Sequence, residues 1–369
     1  MAAPDVRVPF LSLKPGEDDA LVREAVNRVI DRGWFVLGPE LEALEAEFAT
    51  ASGAAHAVGV NTGTDAIALL LRGLGIGPGD EVITAPLTAA YTALAVMMAG
   101  ARPVFADIDP ERHTIDPAAI EAAITPRTAA IMPVHLYGQA ADMPAIGAIA
   151  ARHGLALVED AAQAHLATSG GRPVGSFGAG AAFSFYPTKN LGALGDGGAI
   201  TTDDAALAAR LKRLRNGGQT TTYQHDEFGV NSRLDEMQAA ILRVRLEQLP
   251  RWTTQRRAIA ARYRAQLDGA PVHVPAELDA VHVYHLFVVR TTAREAFRQH
   301  MAAHGVQTLV HYPKALTRQP ALASEAPAPC PEAERAADEV CSLPLYPSLP
   351  PADADLVAEA VRSFRAVVK

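Results

Sequence analysis

A single lysine separates an apolar run from a glycine-rich loop in residues 183–198, FSFYPTKNLGALGDGG. The apolar residues 179–186 predict a short buried strand that ends just before Lys189. The glycines after it allow the backbone to turn tightly and to approach a ligand closely. Because a dry pocket disfavours the ammonium form, a lysine there becomes a nucleophile that can form a Schiff base with an aldehyde. The alternative is a surface lysine in a turn, and residues elsewhere in the chain must decide between the two interpretations.

A carboxylate follows a second predicted buried strand, at 155–159. Asp160 could hold a proton on a ring nitrogen of a bound cofactor, and Gln163, three residues later, could reach the same ring. An aspartate that only caps a turn is the alternative. Glu159 is predicted to point the other way, as a structural residue.

Residues 61–65, NTGTD, lie between a predicted strand at 56–60 and an apolar helix. The amides and hydroxyls of Gly63 and Thr64 suit an anion there, since a helix N-terminus favours phosphate. Helix capping by Thr64 or Asp65 is the alternative. Ser184, five residues before Lys189, is a second candidate phosphate donor.

These three groups together match the requirements of pyridoxal phosphate. The lysine holds the aldehyde, the acid keeps the pyridine ring protonated, and the ring then acts as an electron sink. Competing motifs do not fit: no G-x-G-x-x-G follows the first strand, and neither a G-x-x-x-x-G-K-[ST] loop nor a G-x-S-x-G elbow occurs.

Seven short apolar segments alternate with helices and predict a mainly parallel sheet. They lie at 56–60, 81–84, 102–107, 128–134, 155–159, 180–186 and 198–202. Ligands of such sheets collect at the carboxyl ends of the strands, which is where the candidate residues fall.

The pattern changes after about residue 250. A long helix is expected from Ser232, which has a capping-box spacing with Asp235, past Pro250 to about Leu267. Strands at 281–290 and 306–311 and helices at 292–304 and 351–367 are predicted next. We therefore expect a large domain over residues 1–250 and a smaller α+β domain over 251–369.

The composition argues against several classes of partner. The 369 residues carry 33 basic and 41 acidic side chains, a net charge of -8, so nucleic acid and anionic membranes are not expected partners. The basic clusters at 210–215 and 251–264 predict solvated helix faces. The two cysteines lack metal-ligand spacing, and no metal site is expected. No signal peptide or membrane-spanning stretch is evident, so a cytoplasmic protein is expected.

Ordered motifs along nearly the whole chain resemble those of the DegT/DnrJ/EryC1/StrS sugar aminotransferases. They include residues 8–11, 37–40, 63–65, 79–83, 133–139, 159–163, 184–192, 195–198, 229–235, 310–313 and 342–347. The resemblance implies an α/β fold type I transferase that uses pyridoxal phosphate. It further implies a large domain with a mainly parallel seven-stranded sheet and a smaller C-terminal α+β domain.

The same resemblance assigns roles to the candidate residues. Lys189 would carry the cofactor and shuttle a proton, Asp160 would pair with the ring nitrogen, and Gln163 would contact the ring hydroxyl. The further cofactor contacts that it implies are Gly63, Thr64, Asp65, Ser184, Asn231 and Tyr91. The family often has an aromatic residue where this chain has Ala89, so Tyr91, two residues later, would either stack on the ring or be a core residue. Asn231 would reach the phosphate in the neighbouring subunit of a homodimer with shared active sites.

The implied reaction transfers an amino group from L-glutamate to a keto group of a nucleotide-linked deoxysugar, with dTDP as the expected nucleotide and carbon 3 favoured over carbon 4. Residues 311–320 are similar to the substrate-side motif of members that act on 3-keto nucleotide sugars. The candidate substrate residues are Arg233, His311, Tyr312 and Lys314. A keto-cyclitol of the scyllo-inosose type is an alternative substrate, and a non-catalytic regulator that binds pyridoxal phosphate is an alternative function.

Overall fold

The computed structural model describes residues 6–14, 16–278, 281–325 and 328–365. Its strands are β1 (His56–Val60), β2 (Glu81–Thr84), β3 (Arg102–Phe105), β4 (Thr128–Met132), β5 (Ala156–Asp160), β6 (Thr168–Ser169), β7 (Arg172–Pro173), β8 (Gly180–Ser184), β9 (Gly198–Thr202), β10 (Gln219–Thr221), β11 (Gln224–His225), β12 (Phe287–Arg290) and β13 (Val340–Leu343). Its helices are α1 (Asp19–Arg32), α2 (Pro39–Ala51), α3 (Gly63–Gly73), α4 (Ala90–Met98), α5 (Pro117–Ala123), α6 (Met143–His153), α7 (Ala205–Leu214), α8 (Glu236–Gln266), α9 (Arg294–Ala303), α10 (Pro331–Glu339) and α11 (Pro351–Ser363).

The predicted seven-stranded sheet is confirmed, in the order β1-β9-β8-β5-β4-β2-β3. Neighbouring strands from β8 to β3 run parallel, whereas β9 pairs antiparallel with both β8 and β1. Asp160 ends β5 and Ser184 ends the adjacent parallel strand β8. Both residues therefore lie at the same edge of the sheet, as expected for an α/β ligand site.

Both faces of the sheet are buried, which explains why its strands read as continuous apolar runs. In β8, Ala182 packs into the core formed with α3 and α7. Its neighbours Ala181 and Phe183 pack into a second core, formed with α2 and α8. Successive side chains of a strand point to opposite faces, so a strand covered on both sides needs apolar residues at every position.

The N-terminus of α2 is tied to the first turn of α8 by one buried carboxylate. Glu236 accepts hydrogen bonds from the amides of Gly38 at 3.0 Å, Glu40 at 2.9 Å and Leu41 at 2.9 Å. Helix α8 does not begin with a capping box: Asp235 is its N-cap residue but makes no side-chain cap bond. The predicted capping role of Ser232 and Asp235 is therefore wrong.

Replacing Glu236 by alanine is expected to lower the free energy of unfolding by roughly 3 kcal/mol or more, because three buried amides lose their acceptor. Chemical denaturation of the variant measures this loss. Glu42→Ala, which removes an exposed glutamate from α2, is the control and should change stability by less than about 0.5 kcal/mol. Equal stability of the two variants would contradict the role given to Glu236.

The C-terminal part of the chain has its own core, built from α8, α9, α11, β12 and β13 around Tyr263, Phe287 and Phe297. The predicted strand at 281–290 is confirmed only over β12, which pairs with β13. The sequence-based prediction had missed both β13 and α10. The strand predicted at 306–311 is wrong: only single bridges form there, from Val306 to Val8 and from Leu309 to Ser342.

Helix α8 runs unbroken through Pro250, so the predicted domain boundary falls inside a helix. The last predicted helix ends at Ser363 in α11, and residues 366–369 lie outside the described part of the chain. Within the described ranges no helix is long and apolar enough to cross a bilayer.

The basic clusters are only partly solvated. Arg210 and Arg213 pair with Glu227 on the surface, as a solvated face would. Arg215, however, is buried against Glu45, and Arg256 is buried on α8. The prediction is therefore wrong for these two arginines, which point inward because only one side of each helix faces water.

Candidate active site

Lys189 lies in the loop that leaves β8. Its amide donates to the carbonyl of Tyr186 at 2.8 Å, which forms a tight turn. The next residue, Asn190, anchors the loop by donating from its side-chain amide to the carbonyl of Val283 at 3.0 Å. Burial lowers the pKa of Lys189 to about 8, while the nearby Asp160 carboxylate acts in the opposite direction. The amine is thus far more available as a nucleophile than that of an exposed lysine.

This lowered pKa predicts the pH dependence of cofactor capture. Only the neutral amine attacks an aldehyde, so the rate at which the apoprotein binds pyridoxal phosphate covalently should rise with pH and level off above about 8. Absorbance of the bound cofactor, followed between pH 6 and about 10 at fixed reagent concentration, measures this rate. A rate that continues to rise towards the pKa of an ordinary lysine would contradict the burial of Lys189.

Asp160 is 4 % exposed at the carboxyl end of β5. Its Oδ2 accepts a hydrogen bond from the Thr92 hydroxyl at 2.8 Å, and its Oδ1 accepts one from the amide of Ala162 at 3.2 Å. Burial raises the pKa of Asp160, and these two donors together with the Lys189 amine oppose the rise. These two hydrogen-bond donors are neutral, so the negative charge remains available to a cationic ring nitrogen.

Thr92 was not identified from the sequence, yet it orients the buried acid. It lies on α4 and is itself 3.1 Å from the hydroxyl of Thr88. Thr92→Val should lower turnover about five-fold, because one hydrogen bond to a charged group is worth about 1 kcal/mol or more. Steady-state kinetics of Thr92→Val and Thr92→Ser provide the comparison. The serine variant keeps a hydroxyl and should retain most activity; equal losses in both would contradict the hydrogen-bonding role.

Gln163, three residues after Asp160, is buried and forms hydrogen bonds with two tyrosines. Its Oε1 accepts from the amide of Tyr137 at 2.7 Å, and its Nε2 donates to the hydroxyl of Tyr312 at 3.0 Å. Burial raises the pKa of Tyr312 to about 12, so its phenol stays protonated at neutral pH. The structure therefore brings the predicted residues Asp160, Gln163 and Tyr312 into one cluster.

The predicted phosphate residues also come together. A Cβ added to Gly63 would lie 2.8 Å from Cβ of Ser184, so the first turn of α3 touches the end of β8. Thr62, rather than Thr64 or Asp65, caps the helix by accepting from the amide of Asp65 at 3.0 Å. The amides of Gly63 and Thr64 belong to a first turn, which has no acceptor within its own helix, and they suit an anion.

Asp65 is engaged with the start of α8 instead. Its Oδ2 accepts from the Ser232 hydroxyl at 2.7 Å, and Ser232 in turn accepts from the amide of Asn61 at 3.0 Å. This pair locks α3 against the residues before α8. Asp65 thus holds the first turn of α3 in place through its neighbours.

Four other predicted residues lie at the periphery. Tyr91 is 65% exposed, while Thr92 beside it turns inward, so the structure gives no support to Tyr91 as the stacking residue. Asn231 and Lys314 are exposed. Arg233 donates to the side-chain oxygen of Asn216 at 3.1 Å.

His311 shares a cavity of about 220 Å³ with Lys189. Its Nδ1 lies 2.9 Å from the hydroxyl of Ser342, and its carbonyl accepts a hydrogen bond from the Tyr137 hydroxyl. Burial lowers the pKa of His311 to about 4, and the Lys189 amine acts in the same direction. The imidazole is therefore neutral at neutral pH.

Glu159 is structural, as the sequence predicted. It is fully buried and accepts from the amide of Phe177 at 2.8 Å and from that of Gly175 at 3.1 Å. His135, which the sequence reading missed, lies with its Nε2 3.0 Å from Glu159. The two consecutive acids of β5 thus serve opposite faces of the sheet, and only Asp160 faces the site.

Residues 17–362 match the DegT/DnrJ/EryC1/StrS aminotransferase family. The chain belongs to this family. It is 51% identical over 364 residues to the dTDP-3-amino-3,4,6-trideoxy-alpha-D-glucose transaminase of Streptomyces venezuelae, covering 97% of this chain and 96% of the relative.

Two solved structures of other proteins have nearly the same fold as this chain. The crystal structure of S. venezuelae DesV in complex with a ketimine intermediate has a TM-score of 0.95 at 51% identity, over 96% of this chain and 98% of that one. NtdA from Bacillus subtilis, solved with bound cofactor PMP, has a TM-score of 0.90 at 34% identity, over 96% of this chain and 84% of that one.

This protein is a sugar aminotransferase that depends on pyridoxal phosphate, and its residues fit this cofactor. The contact between Gly63 and Ser184 makes a cradle too narrow for a side chain at position 63. Lys189 would hold the aldehyde, Asp160 the ring nitrogen and Gln163 the ring hydroxyl, with Gly63, Thr64 and Ser184 at the phosphate. When bound, the cofactor supplies an electron sink for the transfer of the amino group.

Proposed function

We propose that this enzyme transfers an amino group from L-glutamate to the carbon 3 keto group of a dTDP-linked deoxysugar. The observation that carries the proposal is the amine of Lys189, which lies beside the buried charge of Asp160 and opens onto the cavity with His311. The name of the S. venezuelae relative, with its 3-amino sugar on dTDP, supports the substrate and the position.

Four residues of the chain have separate proposed roles in this reaction. Lys189 can take and return a proton, because a pKa of about 8 places it near neutral pH. His311, neutral in its buried position, can hydrogen-bond an uncharged sugar hydroxyl. Lys314 is exposed near this segment and is proposed, with Arg233, to meet the diphosphate.

A substrate panel tests the proposal. Purified enzyme is incubated with glutamate and, in turn, a dTDP-3-keto deoxysugar, a dTDP-4-keto deoxysugar and scyllo-inosose, and products are quantified by mass spectrometry. The 3-keto sugar should be aminated at least about tenfold faster than the others, since a misplaced keto group loses its oriented contacts. A preference for the 4-keto sugar or the cyclitol would replace the proposed substrate, and no turnover with any would favour the regulator.

We also propose that two copies of the chain form the active enzyme. Large apolar side chains are exposed beside the start of α8: Phe35 is 47% and Leu194 45% exposed. The carbonyl of Phe35 accepts from the amide of Glu236, and the amide of Leu194 donates to Gln238. An apolar surface of this kind is typical of an interface, and the exposed Asn231 lies next to it in the chain.

Mixed dimers test whether Asn231 completes the partner's site. Lys189→Ala and Asn231→Ala proteins are each nearly inactive if both residues are needed. If Asn231 acts across the interface, a mixed dimer contains one site with wild-type Lys189 and wild-type Asn231, and activity returns. If Asn231 acts within its own chain, mixing restores nothing, and the shared-site proposal fails. Sedimentation velocity establishes the oligomeric state independently.

A further inference from the structure

His285 borders the cavity beside Lys189 and has none of the roles described so far. It lies two residues before β12 and lines the cavity together with Lys189, Asn190 and His311. The residue is only 7% exposed. Because burial of an unpaired polar atom is costly, a buried polar side chain in the wall of such a cavity is a candidate ligand contact.

The hydrogen bonds of Asn190 decide which nitrogen of His285 carries the proton. Asn190 donates from Nδ2 to the carbonyl of Val283 at 3.0 Å, which fixes the orientation of its side-chain amide. Its oxygen, Oδ1, lies 3.2 Å from Nδ1 of His285 and can only accept a hydrogen bond. Nδ1 of His285 therefore carries the proton, and Nε2 keeps a lone pair in the neutral ring.

Nε2 of His285 takes part in no hydrogen bond within the described residues, yet it is not sealed inside the protein. His165 provides the contrast, since both of its ring nitrogens are enclosed and unpaired in a core of phenylalanines. Because His285 forms part of the cavity wall, the surface that its Nε2 retains faces that space. Burial holds the pKa of His285 well below its ordinary value, and the Lys189 amine acts in the same direction, so the ring stays neutral. The cavity therefore offers a neutral hydrogen-bond acceptor to a ligand.

The chemistry of the two substrates decides which of them supplies a donor to this acceptor. The amino group of glutamate is the group that is transferred, and its two carboxylates carry only acceptor oxygens. The lone pair on Nε2 repels such oxygens. A sugar hydroxyl is a donor as well as an acceptor, so it can donate to Nε2. The acceptor therefore fits the keto sugar rather than the amino acid.

We propose that Nε2 of His285 accepts a hydrogen bond from a hydroxyl on a carbon next to the keto carbon of the sugar. Lys189 and His285 border the same cavity of about 220 Å³, so a group bound at His285 lies close to the reacting carbon. His285 would then determine specificity by selecting keto sugars that keep this hydroxyl over their deoxy analogues. This proposal rests on the aminotransferase function proposed above and adds a requirement on its sugar substrate.

Two substitutions of His285 separate the contributions of its two ring nitrogens. In His285→Asn the side-chain amide takes the place of Nδ1 and can still donate to Asn190, but the acceptor at Nε2 is lost. In His285→Gln the longer side chain reaches the position of Nε2, where its oxygen can accept, but the bond to Asn190 is lost. The two variants therefore serve as matched controls for each other.

Binding of dTDP-linked 3-keto sugars that differ by one hydroxyl provides the test. A sugar with hydroxyls at carbons 2 and 4, its 2-deoxy analogue and its 4-deoxy analogue are titrated calorimetrically into the pyridoxal phosphate form of the enzyme, which has no amino group to transfer. The wild type should bind one analogue about tenfold more weakly than the parent sugar, because a buried acceptor is left unpaired. This ratio should fall below about two-fold in His285→Asn and stay above about five-fold in His285→Gln. Equal binding of all three sugars by the wild type, or an unchanged ratio in His285→Asn, would overturn the proposal.

The two half-reactions separate this proposal from the function on which it rests. His285→Asn should slow the reaction of the pyridoxamine phosphate form with the parent sugar at least about five times more than that of the pyridoxal phosphate form with glutamate, because glutamate offers no donor to Nε2. Equal losses in both half-reactions would assign His285 a purely structural role and overturn the proposal. Failure of the wild type to aminate any of the three sugars would reject the proposed function, while the titrations would still decide the role of His285.

Discussion

Lys189→Ala is expected to lower transamination by about 10⁴-fold, because one residue both attaches the cofactor and moves the proton. The variant should still fold. Burial disfavours the ammonium form of Lys189, as its pKa of about 8 shows, so removing the amine removes a cost from the folded state. Activity is measured by amino-sugar formation, and folding by thermal unfolding of the same preparations.

The matched control for this prediction is Lys314→Ala, which removes an exposed lysine three residues after His311. It should keep the attached cofactor and should alter mainly the KM for the nucleotide sugar. Wild-type rates in Lys189→Ala would reject the active-site assignment. A collapse of thermal stability in that variant would instead show that Lys189 supports the fold.

Asp160→Asn is expected to bind the cofactor but to lose roughly 10²–10³-fold in turnover. Asparagine keeps nearly the same shape and an oxygen that can accept from Thr92, so the local structure should persist. It lacks the negative charge that favours a proton on the ring nitrogen, and the ring then withdraws electrons less strongly. Cofactor affinity, measured by titration of the apoprotein, should change far less than turnover.

Asp31→Asn serves as its control, since it removes the same charge from an exposed position on α1. That variant should match the wild type in both measurements. If Asp160→Asn keeps full turnover, the acid does not act on the ring. If it fails to bind the cofactor at all, Asp160 acts in binding rather than in activation.

The sheet could be predicted from the sequence because each of its strands is recognisable from consecutive residues. Both faces of the sheet are buried, so each strand appears as a short apolar run, and the residues at the strand ends, such as Asp160 and Lys189, stand out against it. The clustering of Gly63 with Ser184 also followed from the rule that parallel strands end at one edge. These features depend on near neighbours in the chain.

The missed features depend on contacts between distant segments. Thr92 is a helix residue like its neighbours until the fold brings its hydroxyl to Asp160, 68 positions away in the chain. Glu236 acquires its role only when α2 meets α8. Arg256 belongs to a basic cluster that is typical of a solvated face, and nothing local distinguishes the one arginine that turns inward.

Trapping of the cofactor tests the central assignment most directly. The chain has lysines only at positions 14, 189, 212, 314 and 369, and peptide mapping can separate them. The holoenzyme is treated with borohydride, digested and examined by mass spectrometry, with and without prior incubation with glutamate. The cofactor mass should be found on the peptide containing Lys189, and prior glutamate should abolish it. A label on any other lysine, or one that glutamate leaves unchanged, would contradict the account.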